Sequence, residues 1–91
     1  MKVKMFDKEW NINSINYKQK RELWHLSLIA FDNKNTMQDK YFEMINKVEE
    51  YSGLTEDDYT HKDKSLLSMA EIDLLLQEVY SCYMGIEKKD S

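Results

Sequence analysis

The segment from Leu67 to Ile86 carries both the start and the stop signals of one strongly apolar helix, and it constrains the rest of the chain more than any other stretch. Ser68 and Glu71 stand at the spacing of a capping box. There the hydroxyl and the carboxylate each take up a backbone N–H at the helix start, and Leu67 and Ile72 flank them as a hydrophobic staple. Gly85 supplies a left-handed residue to close the helix, with Ile86 behind it. A helix so apolar must be covered, so the remainder of the molecule has to supply the surface that buries it.

The chain has 91 residues, which makes it one domain with a modest core. Proline is absent and glycine occurs twice, so helices are seldom interrupted. Val3 and Met5, then Trp10 and Ile12, alternate with polar neighbours in the period-two pattern of two short strands. A two-residue loop at Asp7-Lys8 places Met5 opposite Trp10 and Val3 opposite Ile12. Asn16 with Gln19 caps a first helix over residues 17–31, with Leu23, Trp24, Leu28 and Phe31 as its apolar stripe and Lys18, Lys20 and Arg21 in water.

Thr36, with Asp39 three residues on, caps a second helix whose Tyr41, Met44, Ile45, Val48 and Tyr51 recur at helical spacing. Gly53 ends it and Leu54 folds back toward Val48. Residues 55–65 are the most polar stretch, read as a mobile loop with one short helical turn after Thr55. The expected architecture is therefore mainly α. A β-hairpin occupies residues 1–13, a three-helix core residues 14–86, and a frayed tail residues 87–91.

Composition excludes several function classes. The formal net charge is −4, which makes the whole molecule a poor binder of polyanions. The charge is uneven: residues 1 to 35 hold seven Lys/Arg against four Asp/Glu, and residues 36 to 91 hold six against thirteen. That asymmetry admits self-association, with a basic end of one copy meeting an acidic flank of the next. One cysteine, Cys82, excludes a disulfide framework and suits a reducing compartment. No apolar run reaches signal or membrane-span length.

Reaction chemistry finds little foothold. His25, His61 and Cys82 lack any short metal-ligand spacing, so no metal site is expected. His25 reads as an ordinary helix-surface or core-edge residue and Cys82 as a small buried hydrophobe. Glu56-Asp57-Asp58 lacks the oxygen spacing and central glycine of a calcium loop. No glycine-rich phosphate loop exists, so no cofactor is expected. Lys18, Lys20 and Arg21 beside Tyr17 and Trp24 form a small basic aromatic patch, but no second basic stripe supports a nucleic-acid reading.

The aromatic residues are more informative. Six tyrosines, two tryptophans and three phenylalanines, with six methionines, exceed what three short helices and a hairpin bury with ease. Some of them are expected in an exposed apolar strip of the kind that binds another protein. Met5, Trp10, Trp24, Leu28, Phe31, Tyr80 and Tyr83 are the expected partner-contact or self-association residues.

Four segments also carry a resemblance. They are the opening Met1-Lys2-Val3-Lys4-Met5-Phe6-Asp7-Lys8-Glu9-Trp10, the helix start Tyr17-Lys18-Gln19-Lys20-Arg21-Glu22-Leu23-Trp24, the helix end Val48-Glu49-Glu50-Tyr51-Ser52-Gly53-Leu54, and the run from Leu67 to Gln77. Together they resemble the small tail-assembly chaperones of tailed bacteriophages. That resemblance implies a mostly helical, non-catalytic protein of the host cytoplasm. Such a protein coats the long helical tape-measure protein while tail-tube subunits polymerise, is absent from the finished virion, and often has a frameshifted extended form that recruits the tube protein. The alternatives are a small phage regulatory protein that inhibits a host protein through its acidic surface, and a minor structural component of the virion.

Overall fold

The computed structural model describes residues 1–30 and 38–85, which form an antiparallel hairpin, β1 (Lys2–Met5) and β2 (Lys8–Asn11), followed by three helices. These are α1 (Tyr17–Ala30), α2 (Gln38–Ser52) and α3 (Met69–Met84), with a single 3-10 turn at Glu56–Asp58. The mainly helical three-helix architecture with an N-terminal hairpin is the one expected from the sequence. Phe31, the Thr36 cap, Ile86 and residues 87–91 lie outside the described residues.

The hairpin differs from the expected pairing by two residues. Val3 pairs with Trp10 and Met5 with Lys8, so the loop is Phe6-Asp7, with φ of 57° and 58°. Both loop residues are left-handed, as a type I′ turn requires, and aspartate tolerates that conformation better than lysine would. In this register the Trp10 indole N–H donates to the Met5 carbonyl at 3.0 Å, and Ile12 N–H donates to Met1 O at 2.9 Å. A shift of two keeps every side chain on its original face, so alternation by itself does not distinguish the two pairings.

Phe6 in the left-handed region costs on the order of 1 kcal/mol. Its ring meets that of His61 edge to face at 5.6 Å, which anchors the turn against the segment before α3. Lys8 adds a second anchor. Its ammonium lies 4.2 Å from the Trp10 ring centroid and donates to the Thr60 carbonyl at 3.0 Å.

Each helix start within the described residues is fixed locally. At α1 the Asn16 carboxamide accepts from Gln19 N–H at 2.8 Å, and the Gln19 carboxamide accepts from Asn16 N–H at 2.9 Å. At α3 the Ser68 hydroxyl accepts from Glu71 N–H at 3.2 Å, and the Glu71 carboxylate accepts from Ser68 N–H at 2.9 Å. Gly85 closes α3 at φ +71°, as the sequence predicts. Gly53 closes α2 at φ +82°, and the Leu54 that follows is buried.

The core lies where the hairpin, α1 and α2 meet the inner face of α3. Val3, Trp10 and Ile12 pack with Leu23, Leu26, Met44, Ile45, Val48, Leu75, Leu76 and Val79. Of the expected apolar stripe of α1, Leu23 is buried as expected but Trp24 and Leu28 are not. Leu23, Leu26 and Ser27 face inward while Trp24 and Leu28 face out. Helical spacing permits either ridge, and the inner one carries the small Ser27, whose hydroxyl donates to the Trp24 carbonyl at 2.7 Å and so enters the core satisfied.

The polar stretch 55–65 is a loop with one short helical turn after Thr55, as expected, and it is closed by hydrogen bonds. Thr60 bridges to Leu66, and Ser65 donates twice to the Asp63 carboxylate, from its N–H at 3.0 Å and its hydroxyl at 2.6 Å. Tyr59 plugs the core beneath it and donates to the Glu49 carboxylate at 2.5 Å. Among the described residues, no buried side-chain polar atom lacks a hydrogen-bond partner.

Candidate interaction surface

Helix α1 turns a second, polar-edged ridge to solvent, made of Tyr17, Lys20, Arg21, Trp24 and Leu28. These positions are separated by three or four residues, so a single helical face carries all of them. Their exposure is high: 71% for Tyr17, 52% for Trp24 and 56% for Leu28. Three large apolar side chains are thus left in water on one face of α1.

The strip borders a cleft of about 650 Å³ between α1 and the end of α3. Tyr17 and Trp24 form one wall, Cys82, Tyr83 and Met84 the other, and Met1 reaches in from the strand before the hairpin turn. Lys20 and Arg21 stand at its rim. The α3 wall is there because Gly85 stops the helix where Tyr83 can cross back to the linker after the hairpin. The Tyr83 hydroxyl donates to the Asn13 carbonyl at 2.6 Å. Burial, and then the neighbouring Cys82, push the Tyr83 phenol up to about 12, so it stays a neutral donor at physiological pH.

The electrostatics of the rim follow from its neighbours. Among the described residues, Lys18, Lys20 and Arg21 form no ion pair, and no acidic residue occupies the first turn of α1. Glu22, the nearest acid in sequence, is turned to α2, where it accepts from Tyr51 at 2.6 Å and pairs with Lys47 at 3.6 Å. That hydrogen bond raises the Tyr51 phenol to about 12. A molecule that is acidic overall therefore presents a cationic, aromatic-walled cleft at one place.

The structure places the expected contact residues differently. Trp24 and Leu28 lie on the exposed ridge, and the edge of Tyr83 lines the cleft facing Trp24. Trp10, Tyr80 and Tyr83 are core residues, exposed by 3%, 9% and 2%, so their main duty in the single chain is packing. Met5 is half-buried on the hairpin, away from the cleft lining, and Phe31 lies outside the described residues. Cys82 is half-buried at the cleft wall and not fully enclosed as expected. His25 is exposed, as expected.

Sequence reasoning noticed Tyr17, Lys20 and Arg21 as a basic aromatic patch without joining them to Leu28, although their spacing was available. Met1, Cys82 and Met84 carry no local signal, because only the crossing of α3 beside α1 brings them to the cleft. Three other apolar exposures also escaped the sequence reading: Leu66 with Met69 at the start of α3, Leu74 further along α3, and Phe42 on α2.

The His61 imidazole lies 3.0 Å from a Glu71 carboxylate oxygen, but that carboxylate already serves the α3 cap. Among the described residues, no group of three or more His, Cys, Asp or Glu side chains is placed to hold a metal ion, and no helix is long and apolar enough to cross a membrane. No protein-family model, curated protein or solved structure matches this chain.

Proposed function

We propose that this chain is a non-catalytic tail-assembly chaperone of a tailed bacteriophage, acting in the host cytoplasm, which holds helical segments of the tape-measure protein in solution while the tail tube assembles. The observation that carries the reading is the exposed Tyr17, Trp24 and Leu28 strip beside the cleft against α3. A helix-holding protein needs an apolar seat with a polar rim, and the cleft combines aromatic and Met walls with Lys20 and Arg21 at its edge. Methionine and aromatic walls adapt to many side chains, which suits a partner that is long and varied in sequence.

The test is co-expression with candidate tape-measure segments, followed by capture and titration of the captured segment. Trp24→Ala is expected to remain folded, because its ring is half exposed, and to weaken binding by about 2 kcal/mol, about thirtyfold in Kd. If Trp24→Ala and Leu28→Ala are both folded and bind with unchanged affinity, the surface is misassigned. Failure to capture any tape-measure segment at all removes the functional reading.

A further inference from the structure

The cleft joins two properties that together specify an occupant: an apolar aromatic interior and a rim of cations that the protein itself leaves unneutralised. Tyr17, Trp24 and Leu28 repeat along α1 with the spacing of a helical ridge, so they match a helix laid alongside with its own apolar residues three and four apart. Lys20 and Arg21 flank that ridge, and neither meets an acid among the described residues. Glu22 cannot serve, because it is engaged with Tyr51 and Lys47 on the α2 side.

The guanidinium of Arg21 offers a planar fork for a carboxylate, and Lys20 a second point charge one residue away. The chain as a whole carries a net charge of −4, so an acidic partner gains attraction where cations without an acidic neighbour gather. At the cleft an acidic partner meets attraction from Lys20 and Arg21 beside an apolar wall, and that combination orients its charged flank.

We propose that the cleft selects an acidic amphipathic helix, with apolar residues against Tyr17, Trp24 and Leu28 and carboxylates on the flank that faces Lys20 and Arg21. This rests on the helix-holding reading above and adds the charge class of the bound segment. A nucleic-acid strand fits less well. Among the described residues, Lys20 and Arg21 are the cationic side chains that line the cleft, and the side chains of Met1, Cys82 and Met84 give a phosphate backbone little to bond.

The experiment titrates the full chain with two synthetic amphipathic helical peptides of roughly 18 residues, about five turns. Both carry leucines on one face. One has glutamates flanking that face and the other has lysines at the same positions. The glutamate peptide is expected to bind about tenfold tighter at low salt, with the preference shrinking as salt rises. In the double variant Lys20→Glu with Arg21→Glu, both side chains being exposed, the preference is expected to invert while the circular dichroism spectrum is retained.

Equal binding of the two peptides, or tighter binding of the lysine peptide, overturns the charge assignment and leaves helix holding intact. Failure of both peptides to bind, together with failure to capture tape-measure segments, takes down the underlying reading as well. Displacement of the glutamate peptide by an equimolar oligothymidylate assigns the cleft to nucleic acid and overturns the proposal. A concentration-dependent dimer that the double variant abolishes assigns the cleft to a second copy, with the same consequence.

Discussion

Tyr83, near the end of α3, donates its hydroxyl at 2.6 Å to the backbone carbonyl of Asn13, in the linker after the hairpin. The two residues are 70 positions apart, so this bond ties the two ends of the described fold together. Asn13 is held from another side too, since its N–H donates to the Ser52 carbonyl at 2.9 Å where α2 ends. Hairpin, α2 and α3 therefore meet at one backbone position beside the cleft.

Tyr83→Phe is expected to destabilise the fold by about 1 kcal/mol, read as a lower urea midpoint with an unchanged slope. The pH dependence has a definite sign. The Tyr83 pKa is raised in the folded state from 10.0 to about 12, so its contribution is complete below pH 10 and is lost as pH rises from 10 through 12. Tyr59, raised further by burial and then by its bond to Glu49, acts in the same direction. A variant as stable as the parent at pH 7, with an unaltered alkaline transition, would show that the bond does not contribute.

Ser68→Ala removes the acceptor for Glu71 N–H at the start of α3 and is expected to cost about 1 kcal/mol in thermal or urea unfolding. Glu71 adds an acid limb. The Ser68 N–H, and to a lesser degree His61, hold the Glu71 carboxyl below its ordinary value of 4.5. A depressed folded-state pKa contributes stability above pH 4.5 that disappears as pH falls through the lowered value. Glu71→Gln is expected to flatten that acid limb, and an acid transition identical to the parent's would contradict the assignment.

The two glycines predict different costs for the same substitution. At Gly85 a Cβ meets nothing within 4 Å, so Gly85→Ala carries the left-handed strain alone, about 1 kcal/mol. At Gly53 a Cβ stands 2.6 Å from the Asn13 carboxamide nitrogen, so Gly53→Ala also displaces that side chain. Gly53→Ala is expected to be the more destabilising of the two in parallel thermal melts. The reverse order would mean that Asn13 yields without cost.

The two tryptophans separate packing from binding. Trp10→Ala opens the core beneath the hairpin and is expected to cost about 3 to 5 kcal/mol, enough to unfold a domain of this size in part. Trp24→Ala, on the exposed ridge, is expected to change stability by within about 0.5 kcal/mol. Equal losses in the two variants would place Trp24 in the core and remove the strip.

What the sequence determined by itself is what lies within four residues along the chain. The Asn16 and Gln19 cap, the Ser68 and Glu71 cap, and the stops at Gly53 and Gly85 were all legible, because a cap bonds to its own first turn and a left-handed stop depends on one residue. Identity of the buried face was legible for α2, where Met44, Ile45 and Val48 form a single apolar stripe, but not for α3, whose Tyr80 and Tyr83 were expected at a contact surface and lie in the core. It was not legible for α1 either. Leu23 and Leu26 compete there with Trp24 and Leu28, both pairs at helical spacing, and the packed structure buries the first pair. The hairpin register was open for a similar reason, since a slip of two leaves every side chain on its face. Tertiary structure decided both, through the Lys8 tether to Thr60 and the burial of the narrower α1 ridge. That choice turned Trp24 outward and made the cleft.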